Sequence, residues 1–167
     1  LGDHINSHLE IVNFLRQEWL NENINTREEF EKVALSFIKS FPGFQAINYI
    51  DPSGVIQWVN PIDPNAVVEG KDLHDHPFAA ETFVLSETTL TDCATPVIEL
   101  WQGGLGFAIY YPLIQEGQLK GYLNGVFRVN EVINKFFREG FAKNFYLILS
   151  EDGDEFFSLE SGINKHD

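Results

Sequence analysis

Four side chains on two neighbouring β-rich stretches have the chemistry needed to hold a small molecule. They are Tyr110 on the first stretch and Tyr122, Asn124 and Arg128 on the second. A guanidinium binds a carboxylate through two parallel hydrogen bonds, an amide supplies a donor and an acceptor, and a tyrosine ring covers an apolar portion. We expect these side chains to line a ligand pocket. The alternative is structural: Arg128 would pair with a surface acid such as Glu131, and the tyrosines would be core aromatics.

Four further side chains at the ends of predicted strands are candidates for the same pocket. These are Trp58, Asn60, Asp92 and Trp101. Two glycines follow Trp101 closely, so its loop would be free to move over a ligand. Asp92 would accept a hydrogen bond from a ligand amine, or it would only cap a turn. Trp58 would contact the ligand, or it would only cover the core. Asn60 would contact the ligand, or it would only fix a turn.

The sequence carries few features of a metal site or of an enzyme. His74 and His76 share one side only if the segment is extended, and no third ligand has motif spacing. Cys93 is the single cysteine, and its neighbours supply no cation that would activate the thiol. No nucleophile elbow, phosphate-binding loop or dinucleotide fingerprint is present. We therefore expect no cofactor, no metal and no catalytic activity.

The charge of the chain limits the classes of partner. Twenty-five acids against 11 bases give a formal net charge of −14, which would repel nucleic acids and anionic lipid surfaces. Fifteen phenylalanines in 167 residues argue for a packed core rather than disorder. No apolar run approaches the roughly 20 residues of a membrane span. We expect a small-molecule ligand rather than a nucleic acid.

Two amphipathic helices are predicted at the N-terminus. Apolar residues recur at helical spacing from Leu1 to Leu20. A second helix begins at Thr26, which forms a capping box with Glu29, and it ends at Pro42-Gly43. The apolar face of the first helix is wide enough to pair with a second copy in a homodimer as well as to cover the fold.

The rest of the chain alternates strands and turns. The predicted strands are Phe44–Ile50, Val55–Val59, Thr89–Trp101 with a break at Pro96, Gly106–Ile114, Gly121–Val129, Phe145–Ser150 and Glu155–Leu159. Short helices are predicted over His76–Leu85 and from Asn130 to Gly140. The strands on either side of Gly117 form a hairpin. The pattern predicts an α+β architecture, with a long N-terminal helix on a five- to six-stranded antiparallel sheet and short covering helices.

The order of these elements and several short motifs resemble a known family. The motifs are Trp58-Val59-Asn60-Pro61, Asn65, Gly70-Lys71-Asp72-Leu73, Thr95-Pro96, Leu105-Gly106, Tyr111-Pro112 and Gly121-Tyr122-Leu123-Asn124-Gly125-Val126-Phe127. In their order and spacing they resemble the PAS-like sensor domains of membrane receptors, more closely the CHASE family within the wider Cache group. Tyr110 and Arg128 differ from the residues of the plant hormone receptors in this family, so that hormone is not carried over.

The resemblance implies an organisation and a function. Residues 1–41 would form the helical segment of the sensor, 42–160 its PAS-like core, and 161–167 an exit toward a membrane span. The domain would lie outside the cytoplasm, bind a small metabolite such as a carboxylate or an amine, and shift its helix to control a histidine kinase or a cyclase. One alternative is a cytosolic PAS-type module that binds haem or flavin, with His74 or His76 as axial ligand, or that only dimerises. The other is a small hydrolase using Cys93 or the pair His74 and His76.

Overall fold

A computed structural model describes residues 12–21, 24, 26–40, 43–136, 146–151 and 154–160. The two predicted N-terminal helices are present as α1 (residues 12–20) and α2 (Arg27–Ser40), while the predicted start of α1 lies outside the described residues. The capping box forms as expected. The Thr26 amide donates to the Glu29 carboxylate over 3.1 Å, and the Glu29 amide donates to the Thr26 hydroxyl over 3.2 Å.

Six antiparallel strands form the main sheet. They are β1 (Phe44–Ile50), β2 (Ile56–Asn60), β3 (Cys93–Ala94), β4 (Ile98–Glu99), β5 (Leu105–Gln115) and β6 (Gln118–Arg128). The order across the sheet is β2-β1-β6-β5-β3, and β4 also pairs with β5. The predicted hairpin is therefore β5 and β6, at the centre of the sheet. The predicted break at Pro96 separates β3 from β4, because proline has no amide to donate.

One segment, residues 61–92, crosses a face of the sheet and is called the covering segment below. It contains α3 (Ile62–Asn65), two 3₁₀ turns at Ala66–Val68 and Leu73–Asp75, and α4 (Ala80–Thr89). The helix predicted from His76 begins four residues later. The reason is local: the His76 ring accepts hydrogen bonds from the amides of Phe78 and Ala79, which holds these residues in a turn ahead of the helix.

The sheet has an apolar layer on each face, because successive side chains of a strand such as β6 point to opposite faces. Leu123 and Phe127 belong to a buried cluster that packs against α1 and α2. Tyr122 and Val126 belong to a second cluster on the opposite face, beneath the covering segment. The predicted α+β fold, with helices on a six-stranded antiparallel sheet, is thus confirmed.

The chain continues after the sheet with α5 (Val129–Phe136) and then β7 (Tyr146–Glu151) and β8 (Asp154–Glu160). The last two strands pair with each other in a separate two-stranded sheet. The predicted exit at 161–167 lies outside the described residues, and the proposed domain limits stay predictions. Within the described part of the chain, no helix has the length and apolarity required to span a membrane.

Candidate functional site

A small cavity lies between the sheet and the covering segment. Its volume is about 30 Å³, enough for one or two water molecules. Its walls come from β1, β2, β4, β5 and β6, from the covering segment, and from a tight turn at residues 100–104, called the Trp101 turn. The lining residues are Asn48, Ile56, Val68, Leu73, His76, Ala79, Ile98, Leu100, Trp101, Gln102, Ala108, Tyr110, Asn124 and Val126.

The floor of the cavity contains a row of polar side chains across three strands. Asn48 on β1 lies opposite Asn124 on β6, and Asn124 lies opposite Tyr110 on β5. All three are buried, with at most 2% of each residue exposed. In the next row Val126 lies opposite Ala108, whose small side chain leaves space above the sheet. Strand register therefore brings together two residues that the sequence nominated, Tyr110 and Asn124, and one that it did not.

The two amides are held in one orientation by the backbone. The Asn124 amide nitrogen donates to the Ile109 carbonyl over 3.3 Å, so the Asn124 oxygen faces Asn48 and accepts from the Asn48 nitrogen over 2.9 Å. The Asn48 Oδ1 atom is left buried without a hydrogen-bond partner, as is the hydroxyl of Tyr110. Buried polar atoms are rarely left unpaired, because each costs about 1–3 kcal/mol. Two such atoms beside one cavity are a sign of a binding site.

Burial also keeps the tyrosine hydroxyls of this face protonated. Burial raises the pKa of Tyr110 well above its ordinary value and that of Tyr122 to about 12. Tyr122 does not line the cavity. It is fully buried in the same apolar cluster, where its ring meets Phe83 edge-on at 5.0 Å, and its hydroxyl has no partner. Tyr110 contacts the same Phe83 ring at 5.3 Å, so the two tyrosines share one packing partner.

The opposite wall of the cavity is aromatic. Trp101 packs on the His76 ring at 4.3 Å between centroids, and the Lys71 ammonium lies 4.5 Å from the centroid of the indole ring. The Nδ1 atom of His76 accepts two backbone amides, at 3.2 and 3.1 Å, so the proton of the neutral ring is on Nε2. Burial, with a smaller effect from Lys71, lowers the pKa of His76 and keeps it neutral near pH 7.

Arg128 lies close to the Trp101 turn without lining the cavity. Its guanidinium donates to the side chain of Gln45 and, over 3.4 Å, to the Gln102 carbonyl. Gly103 and Gly104, the next residues of this turn, have φ angles of 82° and 81°, a region that favours glycine. Arg128 is thus attached to the turn that carries Trp101.

The other three nominated residues lie away from the cavity. Trp58 is on the opposite face, where it packs against Trp19 and Tyr49 at 5.5 and 4.8 Å. Asn60 is buried and donates to the Glu31 carbonyl, which joins β2 to α2. Asp92 forms an ion pair with Arg16 of α1 at 2.5 Å. Each of these contacts supports the helices rather than the cavity.

Asn48 and His76 line the cavity but are not among the pocket residues predicted from the sequence. Asn48 interrupts the apolar strand Phe44–Ile50. A polar residue at a buried position of a strand is unusual, and it could have indicated a binding residue from the sequence. His76 stands at the start of the helix predicted over His76–Leu85, and the residue is only 5% exposed. Nothing in the local sequence indicates that Trp101, 25 positions later, covers it.

The described residues contain no group of three or more His, Cys, Asp or Glu side chains arranged to hold a metal ion. His74 lies outside the cavity, with its Nδ1 atom 2.6 Å from Asp72. The Cys93 thiol is partly exposed at the edge of the sheet. The expectation of a non-catalytic site therefore stays a prediction for these side chains.

Comparison with solved structures gives several similar folds. An extracellular ligand-binding receptor from Desulfohalobium retbaense matches 80% of this chain at 16% identity, with a TM-score of 0.64. The ligand-binding domain of the Pseudomonas fluorescens chemoreceptor CtaA, in complex with L-isoleucine, matches 90% at 16% identity and a TM-score of 0.64. That of the Pseudomonas aeruginosa amino acid chemoreceptor PctC, in complex with GABA, matches 77% at 16% identity and a TM-score of 0.56.

This chain spans only part of those proteins, 24%, 59% and 54% of their lengths in the same order. No protein-family model and no curated protein sequence matches it. At 16% identity the likeness concerns the fold. The chain has the Cache-like fold of extracellular ligand-binding domains, as the resemblance in its sequence implied.

Proposed function

We propose that this chain is the extracytoplasmic ligand-sensing domain of a membrane receptor and that it binds a small polar metabolite in the cavity. The observation that carries the proposal is the pair of unpartnered buried atoms beside the cavity, Asn48 Oδ1 and the Tyr110 hydroxyl. The fold supports it, because the similar structures are extracellular ligand-binding domains, two of them with amino acids bound. A domain of this kind has no need of catalytic groups.

Binding would require the Trp101 turn to move. A cavity of about 30 Å³ is far smaller than a metabolite, so a ligand has to displace part of the wall. The indole is partly exposed and is followed by two glycines with positive φ, whereas the floor is a continuous sheet. The turn is therefore the wall that gives way. Arg128, bonded to the Gln102 carbonyl, would move with the turn or release it.

The signal would pass from the cavity to the N-terminal helix. Tyr110 pairs with Cys93 of the edge strand β3, and the preceding residue, Asp92, binds Arg16 of α1. The Arg16 guanidinium also lies 5.6 Å from the centroid of the Tyr111 ring, on the helical face of the sheet. A ligand that repositions β5 would shift α1, and the receptor would convert this shift into the activity of a histidine kinase or cyclase output.

A ligand screen with one matched pair of variants tests the proposal. Amino acids, organic acids and purines are screened by thermal shift, and the affinity of each hit is then measured by calorimetry. Tyr110→Phe removes only the cavity hydroxyl and should weaken binding about 5- to 10-fold, which corresponds to one hydrogen bond. Tyr49→Phe is the control, because its hydroxyl donates to the Lys120 carbonyl elsewhere in the sheet. Equal affinity for both variants would remove Tyr110 from the site.

A further inference from the structure

We infer that the ligand inserts an uncharged polar group into this cavity, and that a primary amide or a similar group with both a donor and an acceptor fits it best. The inference rests on the proposed function and concerns the chemical class of the ligand. Such a ligand differs from the GABA and L-isoleucine bound by two of the similar proteins, because an amino acid carries a charged amine and a charged carboxylate.

The cavity wall has no formal charge among the residues described. Its polar side chains are two asparagines, one glutamine, one tyrosine and the neutral His76, and every other lining side chain is apolar or aromatic. A carboxylate or an ammonium enclosed there would lose its hydration without gaining a counter-ion. Such a transfer costs several kcal/mol even after relaxation of the protein, more than one or two hydrogen bonds recover.

Three charged groups close in sequence or in contact with lining residues already have partners outside the wall. The Lys71 ammonium lies against the Trp101 ring, and Arg128 donates to Gln45 and to the Gln102 carbonyl. The Asp72 carboxylate accepts from both the amide and the ring of His74. A charged ligand would have to take one of these groups from its partners and bring it inside.

The hydrogen-bonding groups of the cavity also have a direction. Asn48 Oδ1 can only accept, because the amide chain from Ile109 through Asn124 fixes its orientation. The neutral His76 ring has its proton on Nε2 and can only donate there. The Tyr110 hydroxyl does either. Asn48 on the floor therefore selects a donor on the ligand, and His76 in the facing wall selects an acceptor. A primary amide carries both within one planar group.

Matched ligand trios test the inference at pH 7.5. Each trio has one scaffold with an amide, a carboxylate or an aminomethyl group: acetamide, acetate and ethylamine; benzamide, benzoate and benzylamine; nicotinamide, nicotinate and 3-(aminomethyl)pyridine. We expect saturation-transfer NMR to detect an amide as the tightest binder of its trio, by at least 10-fold. Asn48→Leu should reduce that binding at least 10-fold, and Asn130→Leu, at an exposed position of α5, should leave it unchanged.

The other outcomes separate the inference from the proposed function. If a carboxylate or an amine binds best and loses affinity in Asn48→Leu, the cavity is a ligand site and the inference of an uncharged group is wrong. If the tightest binder is insensitive to Asn48→Leu while the variant keeps its thermal unfolding transition, the inference is also wrong. If no member of any trio and no amino acid binds, both the inference and the proposed function are overturned.

Discussion

The paired asparagines at the centre of the sheet pack against each other and, in the proposed function, also recognise the ligand. The two side-chain amides form a hydrogen bond with each other, in which the Asn48 nitrogen donates to the Asn124 oxygen over 2.9 Å. Two apolar residues would fill the same position without any hydrogen-bonding requirement. We therefore expect an apolar pair to be at least as stable at this position, whereas the asparagines provide an acceptor of fixed orientation beside the cavity. Mutation should reveal both roles.

A double-mutant cycle measures this pairing. Asn48→Leu and Asn124→Leu each leave one amide without its partner, so each should lower the free energy of unfolding by about 1–3 kcal/mol. The double variant has no unpaired amide left and should lose less than the sum of the two. Urea denaturation gives all three values. Strict additivity would mean that the two amides do not depend on each other.

His74 should give the stability a pH dependence of known sign. Its hydrogen bond to Asp72, with a smaller contribution from Glu87, raises the pKa of the folded imidazole above its ordinary value of 6.5. The stabilisation is complete below about pH 6.5 and is lost as the pH rises through the folded pKa. His74→Gln should therefore destabilise the protein more at pH 5.5 than at pH 8.5. Chemical denaturation at both pH values checks this. A loss of unfolding free energy in His74→Gln that is the same at both pH values would contradict it.

His76 provides the matched comparison, because its pKa is lowered by burial and then by Lys71. Its unfolded form takes up a proton below about pH 6.5 while the folded form stays neutral, so wild-type stability falls on acidification. His76→Gln should lose less stability than the wild type between pH 7.5 and pH 5.5. The two histidines, two positions apart in sequence, should thus give opposite signs.

At the residue scale, the sequence predicted part of the site. Tyr122 and Asn124 are two positions apart on one strand, a spacing that predicts one shared face, and both lie on the face beneath the covering segment. It left open which residues of that face reach the cavity, because this depends on strand register and on the residues packed above. Tyr122 is covered by Phe83 of α4, whereas Asn124 lies under the Trp101 turn. These are long-range contacts, which no local pattern contains.

At the scale of elements, an aromatic cluster joins α1, α2 and the sheet. Trp19 of α1 stacks on Tyr49 of β1 at 4.7 Å and also meets Phe30 of α2 at 5.9 Å. Trp58 of β2 touches all three rings. The cluster lies on the face of the sheet opposite the cavity, so it holds the helices in place without reaching the ligand.

Trp58→Ala separates stability from binding. Removing the indole takes away its contacts with the three neighbouring rings and should lower the free energy of unfolding by about 3 kcal/mol. Ligand affinity, measured by calorimetry at a temperature where the variant is folded, should change less than twofold. A loss of affinity of 10-fold or more, with the fold retained, would show that Trp58 contributes to the ligand site.

Most elements could be predicted from the sequence because their signals are local. The capping box of Thr26 and Glu29 and the break at Pro96 appear where expected. The covering segment is different. The start of α4 depends on the hydrogen bonds from the amides of Phe78 and Ala79 to the His76 ring, which local helix propensity does not contain, so the sequence predicts the start of this helix four residues too early.

At the scale of the whole molecule, the two faces of one sheet have separate tasks. One face supports the N-terminal helices through an apolar and aromatic cluster, and the other bounds the cavity. The edge strand β3 and the pair Arg16–Asp92 connect the two sides. An exposed ion pair contributes at most about 1 kcal/mol to stability, so its role in the proposed mechanism is to transmit a shift in β5.

The acids behind the formal charge of −14 do not line the cavity wall that the structure describes. Composition thus predicted which partners the surface would repel, but it could not predict the polarity of the cavity. That property depends on a few buried residues brought together by the fold.

The most direct test of the account is the affinity of a screened ligand for Ala108→Val. This substitution adds two methyl groups to a buried residue of the cavity wall and should fill the space, while a strand accepts valine readily. The control is Ala94→Val, on the exposed edge strand β3. We predict that calorimetry will find binding weakened at least 10-fold in Ala108→Val and unchanged in Ala94→Val, with both variants folded. Wild-type affinity in a folded Ala108→Val would show that the ligand binds somewhere other than this cavity.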